Sequence, residues 1–431
     1  MSALFSYLKR TYTIFNPPIA TKNEDALRIG ILGAANIAPA ALVTPAKSHP
    51  DVIVAAVAAR DPKKAEAFAK KYEIPIVHKT YDELIADPSI DCIYNPLPNG
   101  LHYEWTLKAL KAGKHVLLEK PSVSNAREAR SLFRHPLIQG PNAPVLLEAF
   151  HYRFHPMWST FLSMFKSEDV ETVVATNSLV AGIFPKDDIR FNYDLSGGTL
   201  MDFGAYAVSS VRGVFGKEPI GVKTASCRPM PKEFDDKCDE AIFAEYEFGN
   251  GASAKISADL QAKGGYPFPA LTQNWPSFKN FLPTIEVKLR PQTESADGGL
   301  EKSIQKSFTV YNYMGPFLYH RIDIVTTTQL KKSTDGKVVK TDTNTEYKKV
   351  YKWPAEREAE GRIGEEWWST YRYQLEEFVN RVKKREGSGI WVEPEDSIRQ
   401  MEMIDETYEA AGLPVRPTSK ALEEFDFFSG R

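Results

Sequence analysis

Short apolar runs alternate with amphipathic stretches over the first third of the chain. "RIGILG" (28–33), "VIVAAVAA" (52–59), "DCIYN" (91–95), "HVLLE" (115–119) and "VLLEAF" (145–150) are mostly aliphatic or β-branched. Such runs predict strands buried on both faces, as in a parallel sheet. Between them, "DPKKAEAFAKKY" opens on Asp61 as N-cap with Pro62 at the first helical position. "LHYEWTLKALKAG" carries an apolar side and closes on Gly113. Strand–helix alternation with short links implies a doubly wound α/β domain.

After "HYRFHP" the texture changes. Between about 170 and 350, "TVVATNSLV", "AIFAEYEF", "ASAKISADL", "TIEVKLR" and "RIDIVTTTQL" predict a mostly antiparallel sheet, with turns at "GNG" and "TDG". Residues 263–300 are rich in Pro, Gly and polar positions and predict a loop-rich insert. Two helices follow, in "WWSTYRYQLEEFVNRVKKRE" and "PEDSIRQMEMIDETYEAAGL". The expected division is an N-terminal extension over 1–27, the doubly wound domain over 28–150, a second α/β domain over 151–416, and a tail over 417–431.

Composition narrows the function. The chain has 431 residues, 42% hydrophobic and 26% charged, with 54 basic residues against 56 acidic ones. No charge excess points to nucleic acid or a membrane surface. The early apolar runs are too short to cross a bilayer, so no membrane partner is expected. Cys92, Cys227 and Cys238 form no C-x-x-C pair, which favours a reducing compartment, and a cytoplasmic location is expected. His151 and His155 lack metal-ligand partners at suitable spacing, so no metal is expected and both read as structural or pocket-wall residues.

The first strand runs into Gly33-Ala34-Ala35-Asn36-Ile37-Ala38, which fits G-x-G-x-x-[GA] except that Ala35 replaces the second glycine. Such a loop lets backbone N–H groups approach a pyrophosphate at a helix N-terminus. Gly33, Ala35, Asn36 and Ile37 are therefore candidate dinucleotide contacts. The second strand ends in "AAR". A reader of NAD needs a carboxylate there for the ribose 2′-hydroxyl, whereas Arg60 suits a 2′-phosphate. NADP(H) is expected over NAD(H).

"GILGAANIA", "AARDP", "YNPLPNGLHYEWTLKALKAGKHVLLEKP" and "GGTLMDFGAYAV" together resemble the Gfo/Idh/MocA oxidoreductase family. More narrowly, they look like its dimeric dihydrodiol dehydrogenase and NADP-dependent D-xylose 1-dehydrogenase branch. The resemblance implies an N-terminal Rossmann domain followed by an α/β domain with a large open sheet, through which a homodimer forms. It implies that Lys120 of E-K-P lies beside nicotinamide and a small-molecule substrate, with Glu119, Leu97, Asn99 and His102 on the cofactor side. It also implies Tyr152 and Arg153 in the substrate pocket. Asp202 and Tyr206 stand one helical turn apart and can face one cleft. Tyr206 stands where many members have histidine, and can exchange a proton with a substrate oxygen if a nearby lysine stabilises the phenolate.

The expected activity is hydride transfer between NADP(H) and a sugar-like or vicinal-diol substrate. Two alternatives remain at this point. One is a carbonyl or imine reductase of secondary metabolism. The other is a dinucleotide-binding sensor or co-repressor without catalysis, which retention of Lys120, Asp202 and Tyr206 counts against.

Overall fold

The computed structural model describes residues 2–185, 187–264, 275–277 and 281–422. Six parallel strands form the first sheet: β1 (Leu27–Leu32), β2 (Val52–Ala58), β3 (Ile76–His78), β4 (Cys92–Asn95), β5 (His115–Leu118) and β6 (Leu146–Glu148). Their order is β3-β2-β1-β4-β5-β6. β4 and β5 are wholly or almost wholly buried, which is why their sequences read as unbroken apolar runs. Helix Pro62–Tyr72 starts as expected, with the Asp61 side chain accepting from Lys63 N and Pro62 in the first turn. The turns at the carboxyl ends of the strands gather along one edge of the sheet, where open α/β folds bind ligands.

The second sheet adds β7 (Val170–Val180), β8 (Gly221–Pro229), β9 (Asp239–Glu247), β10 (Ser253–Ala262), β11 (Thr284–Leu289), β12 (Gln292–Ala296), β13 (Leu300–Tyr311), β14 (Arg321–Lys332) and β15 (Val338–Lys348). The main path runs β15-β14-β13-β11-β7-β10-β9-β8, with β12 paired to β13. Every pairing is antiparallel except β7 with β10. The doubly wound first sheet and the large, mostly antiparallel second sheet match the fold class read from the sequence. The segment 263–300 is not all loop, because β11 sits in the middle of this sheet with Ile285 and Val287 in the core. Residues 265–274 and 278–280 of that expectation lie outside the described residues.

Helix Ala205–Phe215 is buried nearly throughout and packs against β7 and β10. Helix Pro394–Ala410 bridges the two halves, touching helix Ala126–Phe133, helix Ala205–Phe215 and β8. Its Asp405 accepts from Ala126 N at 2.8 Å. Beyond it, residues 413–422 fold back on the protein. Arg416 pairs with Asp239 at 2.9 Å, both fully buried, and the Arg416 carbonyl accepts from Asn125. The rest of the expected tail, 423–431, lies outside the described residues. The N-terminal extension holds a helix, Ser2–Phe15, docked through buried Ile14 and through Arg10, whose guanidinium lies 3.3 Å from the Tyr351 ring centre.

Candidate active site

At the carboxyl edge of the first sheet, β1 turns into the glycine loop. Gly33 has φ of +88°, and a Cβ there would come within 3.1 Å of Leu97 Cδ2. Both the backbone angle and the close approach call for glycine. Gly33 N is bound to the Ala58 carbonyl at 2.6 Å, which ties the loop to β2. Among the described residues, no backbone carbonyl takes the N–H groups of Ala34, Ala35, Asn36 or Ile37. They precede a helical run that begins at Ala38, whose dipole favours an anion at that end. Arg60 is exposed at the tip of β2. These residues fit a dinucleotide: amides for the pyrophosphate and a guanidinium for a 2′-phosphate.

At the end of β5 the chain makes its acid–base–proline turn. Glu119 N still donates to the Asn95 carbonyl at 3.1 Å, and the Lys120–Pro121 bond that follows is cis. Lys120 Nζ lies 2.6 Å from Asp202 Oδ1 and 4.6 Å from the centre of the Tyr206 ring. Arg190 Nε holds the other Asp202 oxygen at 2.8 Å. Burial would raise the Asp202 carboxyl, but Lys120 and then Arg190 outweigh it and hold it at about 2. The carboxylate is therefore ionised throughout the neutral range.

The backbone around Asp202 explains its motif. Leu200–Gly204 is a single π-helical turn in which Gly204 N reaches the Thr199 carbonyl at 2.8 Å. Such turns re-aim side chains within a helix and recur at functional sites. The preceding glycines are required by crowding. A Cβ on Gly198, at φ +127°, would lie 2.2 Å from Asp239 Oδ1 and 2.4 Å from Arg416 Nη2. On Gly197 it would lie 2.7 Å from the Arg190 carbonyl.

Tyr206 sits one turn beyond Asp202, 5% exposed, with its hydroxyl 2.8 Å from His151 Nε2. Burial raises its phenol well above the ordinary value, and Tyr371, Glu119 and Asp202 push the same way. The expected stabilisation of a phenolate by Lys120 is not what this geometry provides, because the ammonium binds Asp202 and meets only the ring face of Tyr206.

The remaining expected residues have these surroundings. Glu119 accepts from Tyr94 Oη at 2.7 Å, and burial raises its carboxyl. His102 lies between two carbonyls, Leu97 at 2.7 Å from Nε2 and Pro121 at 2.8 Å from Nδ1, and as a neutral ring donates to one of them while packing the Leu97 loop against the Lys120 turn. Burial outweighs those carbonyls and lowers it to about 4. Asn99 Nδ2 donates to the Ser196 carbonyl at 3.0 Å. Tyr152 is fully buried, edge-on to Tyr206, with its hydroxyl 2.9 Å from Ser209 Oγ. Arg153 is not drawn into the Lys120 cluster; its guanidinium pairs with Asp396, which Arg212 also holds at 2.7 Å. Arg190, Thr370 and Tyr371 join the cluster without having been singled out in the sequence, and His151 does so in a role the sequence did not suggest.

Two family models match the chain: residues 27–136 fit the oxidoreductase family with NAD-binding Rossmann fold, and residues 163–279 fit the GFO/IDH/MocA C-terminal domain. An NADP(+)-dependent D-xylose 1-dehydrogenase of Haloferax volcanii is 30% identical over 388 residues, covering 89% of this chain and 97% of its own. The chain belongs to the Gfo/Idh/MocA oxidoreductase family. A trans-1,2-dihydrobenzene-1,2-diol dehydrogenase of Xenopus laevis is 34% identical over 48% of this chain and 61% of its own. Among solved structures, the aldose-aldose oxidoreductase of Caulobacter crescentus complexed with glycerol shares the fold. It has a TM-score of 0.64 at 19% identity, covering 90% of this chain and 98% of that one.

Proposed function

We propose that this Gfo/Idh/MocA member is an NADP(H)-dependent oxidoreductase acting on a CH–OH group of a sugar-like or vicinal-diol substrate. The observation that carries the reading is the Lys120–Asp202–Tyr206 cluster at the sheet edge that also bears the glycine loop. The likeness to a D-xylose dehydrogenase and a dihydrodiol dehydrogenase supports the substrate class. NADP, when bound, supplies the hydride acceptor at nicotinamide C4, and the protein contributes positioning and electrostatics.

Asp202, ionised between two cations, fixes the ammonium of Lys120 beside the Tyr206 ring. Tyr206 takes the proton of the substrate hydroxyl as the hydride leaves the same carbon. Lys120 stabilises the oxygen while charge develops on it, an electrostatic role that burial strengthens. Arg60 distinguishes the 2′-phosphate of NADP(H) from the 2′-hydroxyl of NAD(H).

A panel of aldoses, vicinal diols and aldehydes with NADP⁺ or NADPH, followed by nicotinamide absorbance, tests the reading. D-Xylose or a trans-diol reducing NADP⁺ is the expected result. No turnover with any member would sink it. The outer face of the second sheet, with Phe243, Val338, Val339 and Tyr347 exposed, suits a homodimer contact, which light scattering would detect. No helix among the described residues is long and apolar enough to cross a membrane. Together with three free cysteines, this fits a cytoplasmic enzyme.

A further inference from the structure

The buried hydroxyl of Tyr206 needs a route for the proton it acquires, and the structure supplies a neighbour for each step. His151 Nε2 lies 2.8 Å from Tyr206 Oη, and His151 Nδ1 lies 2.8 Å from Thr370 Oγ1. His151 is 4% exposed and Thr370 fully buried. Thr370 opens helix Thr370–Val382. Its neighbours in the chain, Ser369 and Tyr371, line a cavity of about 60 Å³ whose wall also carries Thr44 and Ser48. Its wall is mostly apolar, but Thr44, Ser48, Ser369 and Arg372 supply the few polar partners that one water needs.

We propose that His151 and Thr370 form a proton relay behind Tyr206, leading from the reacting hydroxyl towards water at this cavity, which Thr370's two chain neighbours line. The proposal rests on the dehydrogenase reading above and adds residues to it. In the oxidising direction, the substrate C–H bond breaks and its electron pair leaves as hydride to the nicotinamide of NADP⁺. The substrate hydroxyl proton passes to Tyr206 Oη as the carbonyl forms, while the former Tyr206 proton moves to His151 Nε2. His151 gives up its Nδ1 proton to Thr370 Oγ1, and Thr370 passes its own hydroxyl proton to a water on the side of its chain neighbours Ser369 and Tyr371, which line the cavity. One hydride and one proton leave the substrate, and each relay group ends with the number of protons it began with.

The surroundings keep the proton moving. Tyr206 faces the imidazole from helix Ala205–Phe215, Tyr371 covers its ring at 4.1 Å between centroids, and Lys120 acts on it from the turn after β5. Glu119 and Asp202 lie behind Tyr206 and Tyr371. Burial, then Lys120, lowers His151 to about 3, so the ring is neutral at working pH and an added proton does not rest there. Neutral imidazole has one donor and one acceptor, which is what passing a proton across the ring requires.

The relay acts through Tyr206, so its test needs more than a drop in rate. The measurements are kcat against pH and the solvent deuterium isotope effect, with NADP⁺ and D-xylose or the panel member turned over fastest. His151→Phe should lower kcat about tenfold or more, with KM for both substrates within about twofold. Its kcat should climb with pH where the unsubstituted protein is level, since hydroxide must then take the Tyr206 proton. Thr370→Val keeps the imidazole and removes its oxygen partner, so it should shift the profile the same way by less. Should His151→Phe fail to fold, Thr370→Val carries the test. Unchanged pH profiles and isotope effects in the folded variants overturn the relay and leave the dehydrogenase intact. No turnover by the unsubstituted protein overturns both.

Discussion

Lys120 and Asp202, 82 residues apart in the chain, meet at 2.6 Å, so the edge of the first sheet is latched to the π-helical turn that runs into helix Ala205–Phe215. The pair is mostly buried and Arg190 completes the carboxylate's coordination. Removing one member of such a pair leaves an uncompensated charge in a poorly solvated site. Replacing such a pair whole by apolar groups is often neutral, so we read it as placing the ammonium rather than as a source of net stability.

Lys120→Met should accordingly depress turnover by a factor of about 10² or more, the scale of lost acid–base and electrostatic help. Tyr206→Phe should cost a similar factor. NADP(H) affinity, measured by fluorescence titration, should change little in both, because the phosphate and ribose contacts proposed above lie in the glycine loop and at Arg60. The double substitution should cost far less than the product of the single losses, since the residues act as a unit. Strictly multiplicative losses would mean that they work independently.

Arg60→Ala removes the exposed guanidinium at the end of β2. The variant should bind NADP(H) at least about tenfold more weakly, the scale of one lost charge-assisted contact, while NAD(H) affinity stays nearly constant. Equal affinity of the unsubstituted protein for both cofactors would refute the role given to Arg60.

Much of this was legible in the sequence, for reasons that particular residues make plain. Strands buried on both faces betray themselves as apolar runs, and Gly33, Lys120 and the Asp202–Tyr206 spacing sit in local patterns. β3 escaped because it has only three residues, half-exposed or exposed and following Pro75. His151 escaped for a different reason. Its partners are 55 and 219 residues further along the chain, so no local spacing could reveal them. Arg153 has the composition of a substrate-binding residue, yet its charge is engaged by Asp396 on a helix more than two hundred positions away.

Gly198 and Gly113 both have positive φ, at +127° and +75°, but only Gly198 is crowded. Gly113→Ala adds a methyl in open space and should cost about 1–2 kcal/mol for the left-handed backbone alone. Gly198→Ala drives a methyl into the buried Asp239–Arg416–Tyr408 group and should cost on the order of 4 kcal/mol or more. Thermal or urea unfolding of the two variants gives the comparison. Equal losses would mean that the Asp239 group moves aside freely.

Glu148, at the end of β6, provides a pH test that is independent of activity. Its carboxyl is buried, accepts from Ser122 N at 2.8 Å, and has Asp396 of helix Pro394–Ala410 as a like-charged neighbour. Burial raises it from 4.5 to about 7, against the help of Ser397 and Ser122. Between those values the folded protein holds a proton that the unfolded chain has released. The contribution to stability is therefore full below about 4.5 and is lost as pH rises through about 7. It amounts to at most on the order of 3 kcal/mol. Buried histidines act in the opposite sense: His102 and His320, both lowered to about 4, favour the fold above their unfolded value and are lost as pH falls. The unsubstituted protein therefore shows only the net of the two effects, and the informative quantity is a difference between variants. Glu148→Gln, neutral at every pH, should melt close to the unsubstituted protein at pH about 5 and gain on it steadily towards pH about 8. A constant gap in melting temperature across that window would mean that Glu148 does not titrate there.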